Sequence, residues 1–205
     1  MLTVESSRIR LQRLQQILRK ENLDAAIIGF PENVYYFSGF FTQWIHYSAL
    51  GLTADGRSFL VTANNPAENT AADEVGSYEA QWIATLRSEQ ASEVARQLVP
   101  WITRQKAEKI GIDASVVSSQ FALQWKRSVV SIDPPLWQMR RRKDADELAL
   151  MKKGIACTAA MYGRAKKILR PGIQELEMYT ELQKTAVLEL GEPLTGLLGN
   201  DFRCG

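Results

Sequence analysis

Hydrolytic and metal chemistry draws mainly on histidine, cysteine and clustered carboxylates, and this chain is poor in the first two. It has one histidine, His46, and two cysteines, Cys157 and Cys204. A nucleophilic thiol needs an imidazole beside it, and His46 is remote in sequence from both cysteines. Both are read as reduced, non-catalytic thiols, and two cysteines are too few for a disulfide framework. Glu147, Glu175 and Glu177 stand at predicted helix starts, where the macrodipole favours a negative charge. Arg140-Arg141-Arg142-Lys143 reads as a solvated basic turn. The remaining candidate is the aromatic run Phe40-Phe41-Thr42-Gln43-Trp44-Ile45-His46-Tyr47, which surrounds the lone imidazole. No Gly-x-Gly-x-x-Gly or Walker-type loop follows any predicted strand, so a nucleotide-binding reading has little support.

The elements around that run alternate. Ser6 or Ser7 is the expected cap of a helix to about Glu21, with Leu11, Leu14, Ile17 and Leu18 on one face. Ala25 to Phe30 reads as a buried strand, and Pro31-Glu32-Asn33 begins a helical turn ending near Ser38-Gly39. Tyr47 to Thr53 and Ser58 to Thr62 are expected to pair around Asp55-Gly56, whose residue types supply the positive φ angles of a tight hairpin. A helix after Pro66, a strand over 79–83, a helix over 89–101, a strand over 109–113, a helix over 119–127 and a strand over 129–132 follow. The natural solution is an α/β fold, a mixed sheet flanked by helices.

The pattern changes after Pro135. Leu148, Met151, Ile155, Tyr162 and Leu169 recur at helical spacing over 144–169, and Asp144 with Glu147 has the form of a capping box. Pro171-Gly172 stops this helix, and a second is expected from about Gln174 to Leu190, ended by Gly191. A helical pair with no sheet to cover is an incomplete unit.

Composition narrows the function classes. The chain has 205 residues, 45% hydrophobic and 23% charged, with a formal net charge of +2. That balance argues against nucleic-acid binding or a membrane-surface role, because phosphate contacts need a strong basic excess. No apolar run approaches the ~18 residues of a membrane span. The start, MLTVESSRIRLQRL, lacks the apolar core of a secretory signal, so a cytoplasmic location is expected.

Four segments carry a family resemblance. Arg140, Lys143, Glu147 and Leu148 match the Arg-x-x-Lys-x-x-x-Glu-Ile/Leu pattern that opens the catalytic domain of the pita-bread metallopeptidases. That family includes prolidases, Xaa-Pro aminopeptidases, methionine aminopeptidases and creatinase. Met151 and Ile155 continue the pattern, while Gly154 stands where a small Ala is usual. Residues 171–177, Pro-Gly-Ile-Gln-Glu-Leu-Glu, resemble the next signature. Upstream, Arg13-Leu14, Leu23 to Ile28 and Asn33 to Phe40 resemble the amino-terminal domain of the family in order and spacing.

The resemblance implies a creatinase-type N-terminal domain over 1–138. It further implies the first two helices of a truncated pita-bread α+β domain over 139–205. Such enzymes use two divalent metals (Mn, Co or Zn) held by two Asp, one His and two Glu, with a further His assisting proton transfer. All of these follow the two helices, and residues 199–205 resemble the loop just ahead of the first active-site His. The chain is therefore expected to hold no catalytic residue, no metal ligand and no cofactor of its own; Asp201 matches no ligand position. In the family the loop after the Ser-Gly motif can lean over a neighbouring subunit's active site. On that basis Phe40, Trp44 and His46 are candidate substrate-lining residues across subunits, although a loop tucked onto its own domain is the simpler reading. A homodimer or higher homo-oligomer, acting in full-length form on a peptide or small amide, is implied. The expected function is the N-terminal portion of a metal-dependent Xaa-Pro peptidase. The alternatives are a non-catalytic dimerisation or binding module, and a fragment of a creatinase- or ectoine-hydrolase-like enzyme.

Overall fold

The computed structural model of the chain describes residues 1–42, 45–83, 85–113 and 128–194. The chain forms two compact units, Met1–Asp144 and Ala145–Gly205. The first is built on a six-stranded mixed sheet of order β4-β3-β2-β1-β7-β8. Its strands are β1 (Ala25–Ile28), β2 (Ala49–Thr53), β3 (Ser58–Ala63), β4 (Glu74–Tyr78), β7 (Lys109–Ile112) and β8 (Ser128–Ser131). Strand β2 runs antiparallel to both β1 and β3, whereas β1–β7, β7–β8 and β3–β4 are parallel.

The period-two alternation of β1 and β2 divides the core between the two faces of the sheet. Ala26, Ile28, Leu50, Leu52 and Leu60 face α1 (Val4–Lys20), α2 (Pro31–Ser38) and α4 (Asp133–Arg141), packing with Leu14, Leu18, Phe37 and Leu136. Ala25, Ile27, Ala49, Val61 and Ile110 face α3 (Gln90–Arg104), packing with Val94, Leu98, Trp101 and Ile102. Gly51 lets α3 approach, since a Cβ there would lie 2.8 Å from Leu98 Cδ2.

Several sequence expectations shift. Thr3 caps α1, accepting from the Ser6 amide, while Ser7 is buried inside the helix. In the β2–β3 turn only Gly56 has a positive φ, of 105°, so Asp55 does not share the left-handed conformation. Instead the Thr53 hydroxyl accepts from the Arg57 amide, closing a longer loop. No helix follows Pro66: residues 66–73 are a loop whose apolar side chains are all alanines, too little to hold an amphipathic helix on the core. Within the strand expected over 79–83 lies β5 (Gln81–Trp82), which forms a small hairpin with β6 (Thr85–Leu86), while the sheet strand β4 just before it is not foreseen in the sequence. Helix α3 runs past Pro100 to Arg104. Pro134 and Pro135 open α4, in a first turn where their missing N–H groups cost nothing. The helix expected over 119–127 lies outside the described residues.

Two charged groups tie this unit together. Arg10 is fully buried in α1; its Nε donates to Asp144 Oδ2 at 3.0 Å and its guanidinium lies 4.6 Å over the Tyr36 ring. Arg13 donates to the same carboxylate. The side chain foreseen as half of a capping box thus fastens the end of the unit to α1. Asp113, also fully buried, accepts from the amides of Gly29 and Phe30 at 2.8–3.0 Å and from Asn33 Nδ2. Asn33 Oδ1 in turn accepts from Arg140 of α4.

The second unit is a helical hairpin of α5 (Ala145–Ile168) and α6 (Glu175–Leu190), with Gly172 at a φ of 82° between them and Gly191 as the left-handed C-cap. Cys157, Met178, Leu182 and Ala186 form its small core. Lys153–Glu192, Arg164–Glu181 and Arg170–Glu177 ion pairs join the antiparallel arms. Leu148, Met151, Ile155, Tyr162, Leu169, Leu176 and Leu188 are exposed, the last three by 70% or more.

Replacing Arg10 by Ala removes the buried partner of Asp144 and is expected to cost about 3 kcal/mol in urea unfolding; a loss below about 1 kcal/mol would show the pair to be dispensable. Burial raises the Asp113 carboxyl above the ordinary value, outweighing the three hydrogen bonds that favour its charge. The folded chain therefore holds this proton more tightly than the unfolded one. Its contribution is complete below the unfolded value of 3.8 and lost as pH rises through the folded value. The stability gap between the native chain and Asp113→Asn should narrow as pH rises above about 4; a widening gap would reverse the assignment.

Candidate functional site

The aromatic segment leaves α2 at Gly39, whose φ of 73° ends the helix in the left-handed conformation. Its entry is pinned by Ser38: the carbonyl accepts from Thr70 Oγ1 and the Ala71 amide, and the hydroxyl accepts from the Phe40 amide. The alanine-rich loop that is not a helix thus serves as the anchor for this turn. Phe40 is partly buried against the α1–α2 side of the core. Phe41 is about half exposed and meets Tyr35 edge-on at 5.5 Å. Trp44 lies outside the described residues.

The exit of the segment is held just as firmly. Gln90, the first residue of α3, is buried; its Nε2 donates to the Ile45 carbonyl at 3.1 Å, and its Oε1 accepts from the Tyr47 amide at 3.0 Å. The Tyr78 hydroxyl, at the end of β4, lies 2.7 Å from both the Tyr47 carbonyl and Gln90 Oε1 and shares its proton between them. Burial raises the Tyr78 phenol to about 12, so it remains a donor at neutral pH. His46 stands between the two clamped residues, partly buried, with an Nε2 that has no hydrogen-bond partner among the described residues. Nothing in the sequence marked Gln90 or Tyr78; only the pairing of distant segments reveals them.

The corner beside this segment is filled from within. Open α/β sheets usually take ligands beyond the carboxyl ends of their parallel strands. Here the Asp113 carboxylate occupies the end of β1 and β7, against the start of α2, where an anion would otherwise sit. The Tyr47 ring closes over it: a Cβ on Gly29 would be 2.6 Å from Tyr47 Oη. That hydroxyl is buried without a hydrogen-bond partner among the described residues, and burial with the nearby Asp113 charge raises its pKa.

The other singled-out residues serve structure. Arg140 bonds Asn33, and Lys143 bonds the Arg140 carbonyl. Glu177 pairs with Arg170. Glu147 and Glu175 stand in the first turns of α5 and α6. Cys157 is buried, its Sγ against the Ala186 carbonyl at 3.9 Å; Asp201 and Cys204 lie outside the described residues. Among the described residues no group of three or more His, Cys, Asp or Glu is placed to hold a metal ion. No described helix is long and apolar enough to cross a membrane.

Known structures share this architecture. The X-Pro aminopeptidase of Thermotoga maritima matches with a TM-score of 0.68 and 21% identity, over 87% of this chain and 49% of that one. The Xaa-Pro dipeptidase of Bacillus anthracis matches with a TM-score of 0.67 and 16% identity, over 89% and 49%. The prolidase of Pyrococcus furiosus matches with a TM-score of 0.64 and 19% identity, over 87% and 52%. The chain therefore spans about half the length of these structures. No curated protein matches it in sequence. The creatinase/prolidase N-terminal domain model matches residues 10–142, nearly the whole of the first unit, and the chain belongs to that family.

Proposed function

We propose that this chain is the N-terminal portion of a metal-dependent Xaa-Pro peptidase, an aminopeptidase or dipeptidase, and that it is not catalytic by itself. The observation that carries the reading is the apolar stripe on α5 and α6, from Leu148 to Leu188, left open to water in the second unit. A stripe of this size is stable when another layer of protein covers it. The half-length match to an X-Pro aminopeptidase, an Xaa-Pro dipeptidase and a prolidase supports a covering layer supplied by further chain. In this reading residues 139–205 begin the catalytic domain, and the two divalent metals, Mn, Co or Zn, belong to the part beyond them. The protein works as a cytoplasmic homodimer or larger homo-oligomer on X-Pro peptides. Phe40, Trp44 and His46 line the substrate pocket of a neighbouring subunit.

A second reading has its own support. The first unit covers both faces of its sheet, with α1, α2 and α4 on one side and α3 on the other. It has the core of an independent domain, able to serve as a dimerisation or binding module.

Reading the gene past the codon for Gly205 separates the two. An open frame is expected, carrying a His soon after, paired Asp, a later His and two Glu. The product of that frame should hydrolyse X-Pro dipeptides or amino-terminal X-Pro bonds with Mn²⁺, while the 205-residue chain alone should not. A stop codon directly after Gly205 would remove the peptidase reading and leave the module. The 205-residue chain should also self-associate in sedimentation and bind a hydrophobic dye through its exposed stripe. A monomer with no dye binding would count against an uncovered face.

A further inference from the structure

We propose that the junction after α4 is a latent cleavage site for proteases that cut after basic residues, and that Arg10 holds it closed. Arg141, Arg142 and Lys143 are exposed, and Arg142 leaves the helix with extended backbone, φ −91° and ψ 112°. An exposed, extended, basic run is what a trypsin-like enzyme selects, and the linkers between compact units are where such enzymes nick a chain. The boundary falls after Asp144, so a cut in this run would sever the chain between its two units. The inference holds under either reading of the chain's function.

Side chains of α1 and α2 grip the run at both ends, so that residues 139–144 form a strap. Ahead of it, Asn33 Oδ1 accepts from Arg140 Nη1 at 3.0 Å, and the Tyr36 hydroxyl donates to the Met139 carbonyl at 3.4 Å. Behind it, the Asp144 carboxylate accepts from Arg10 and Arg13 at 2.9–3.0 Å. The Arg10 bond is the one sheltered from water, since its side chain is fully buried whereas that of Arg13 is 46% exposed. The same guanidinium donates to the Tyr36 carbonyl at 3.4 Å and lies over the Tyr36 ring. The two ends of the strap thus meet on one pair of packed residues, Arg10 and Tyr36. A protease must draw the residues on both sides of the scissile bond into its cleft. With Met139, Arg140 and Asp144 all fastened to α1 and α2, it acts only when the strap lifts, and cleavage follows the population of that opened form. The clasp turns an exposed recognition sequence into a guarded one.

The test is limited trypsin digestion of the 205-residue chain, with the cuts within residues 140–143 followed by mass. Asp144→Asn keeps a side chain able to cap a helix but removes the charge that faces Arg10. Cleavage at the junction should quicken roughly a hundredfold in that variant. The double variant Arg10→Met with Asp144→Asn removes both charges and should recover a Tm near that of the native chain. Its junction should still be cut as fast as in Asp144→Asn, because the strap has lost its latch. Val94→Ala, in the α3 core and away from the strap, should lower Tm but leave the junction rate within about twofold. A native chain cut at the junction as fast as a free peptide of residues 136–148 would show that nothing guards it. An unchanged rate in Asp144→Asn, or a double variant as resistant as the native chain, would remove Arg10 from the mechanism and overturn the proposal. Equal acceleration in Val94→Ala and Asp144→Asn would also overturn it, because the junction would then open only when the whole unit unfolds.

Discussion

One buried carboxylate holds the corner of the sheet from which the His46 segment hangs. Where β1 ends, the amides of Gly29 and Phe30 leave the ladder and have not yet entered α2, so each needs an acceptor away from water. Asp113, at the end of the parallel neighbour β7, supplies it to both and reaches Asn33 in the first turn of the helix. Through Asn33 the bonding continues to Arg140, so one polar chain links β7, β1, α2 and α4. The arrangement sets the direction of α2, and therefore the place where Ser38 and Gly39 release the aromatic segment. Desolvation of the charge is what the fold tolerates in return for two satisfied amides, and it is visible in the raised carboxyl. Gly29 belongs to the same constraint, because any side chain there would displace Tyr47.

Local pattern made part of this architecture legible. The apolar run at Ala25–Ile28, the strands flanking Asp55-Gly56 and the helical spacing over α5 and α6 all predict elements that the structure contains. Each is specified by periodicity or turn chemistry within a few residues. The misplaced elements lack such a signal. Residues 66–73 contain proline, alanines and acidic groups in no decisive order, and only their long-range bonds to Ser38 and Ser58 give them a shape. Strand β4 is Glu-Val-Gly-Ser-Tyr, with a glycine at its centre and strongly β-favouring residues only in second place and at its end, and its parallel partner β3 defines it.

The candidate site divides in the same way. The aromatic density around the single histidine stands out in the sequence; the groups that order it do not. Gln90 and Tyr78 are unremarkable in isolation, and their roles arise because β4 and α3 meet the segment in space. Side-chain bonds to backbone across such distances leave no spacing to read. Asp144 shows how a local motif can carry a long-range role as well: beside the spacing to Glu147 that reads as a capping box, its carboxylate accepts from the buried Arg10 and from Arg13.

The parallel pairings also determine the order in which the first unit forms during synthesis. Strand β1 is made early, but its register against β7 joins Ala25 to Ile110, and β7 in turn awaits β8, with Lys109 opposite Ser128. Until then the β1–β2, β2–β3 and β3–β4 pairs have both partners available, the middle one across a short turn. Contacts this distant in sequence are slow to close, because the chain entropy is lost before the pairing rewards it. On the ribosome the half-made sheet would present β1 as an open edge of four apolar residues, a template for mispairing with other nascent chains. The helical hairpin of α5 and α6 is local throughout and emerges afterwards. The topology thus places the stage of greatest chaperone need before the synthesis of the second unit begins.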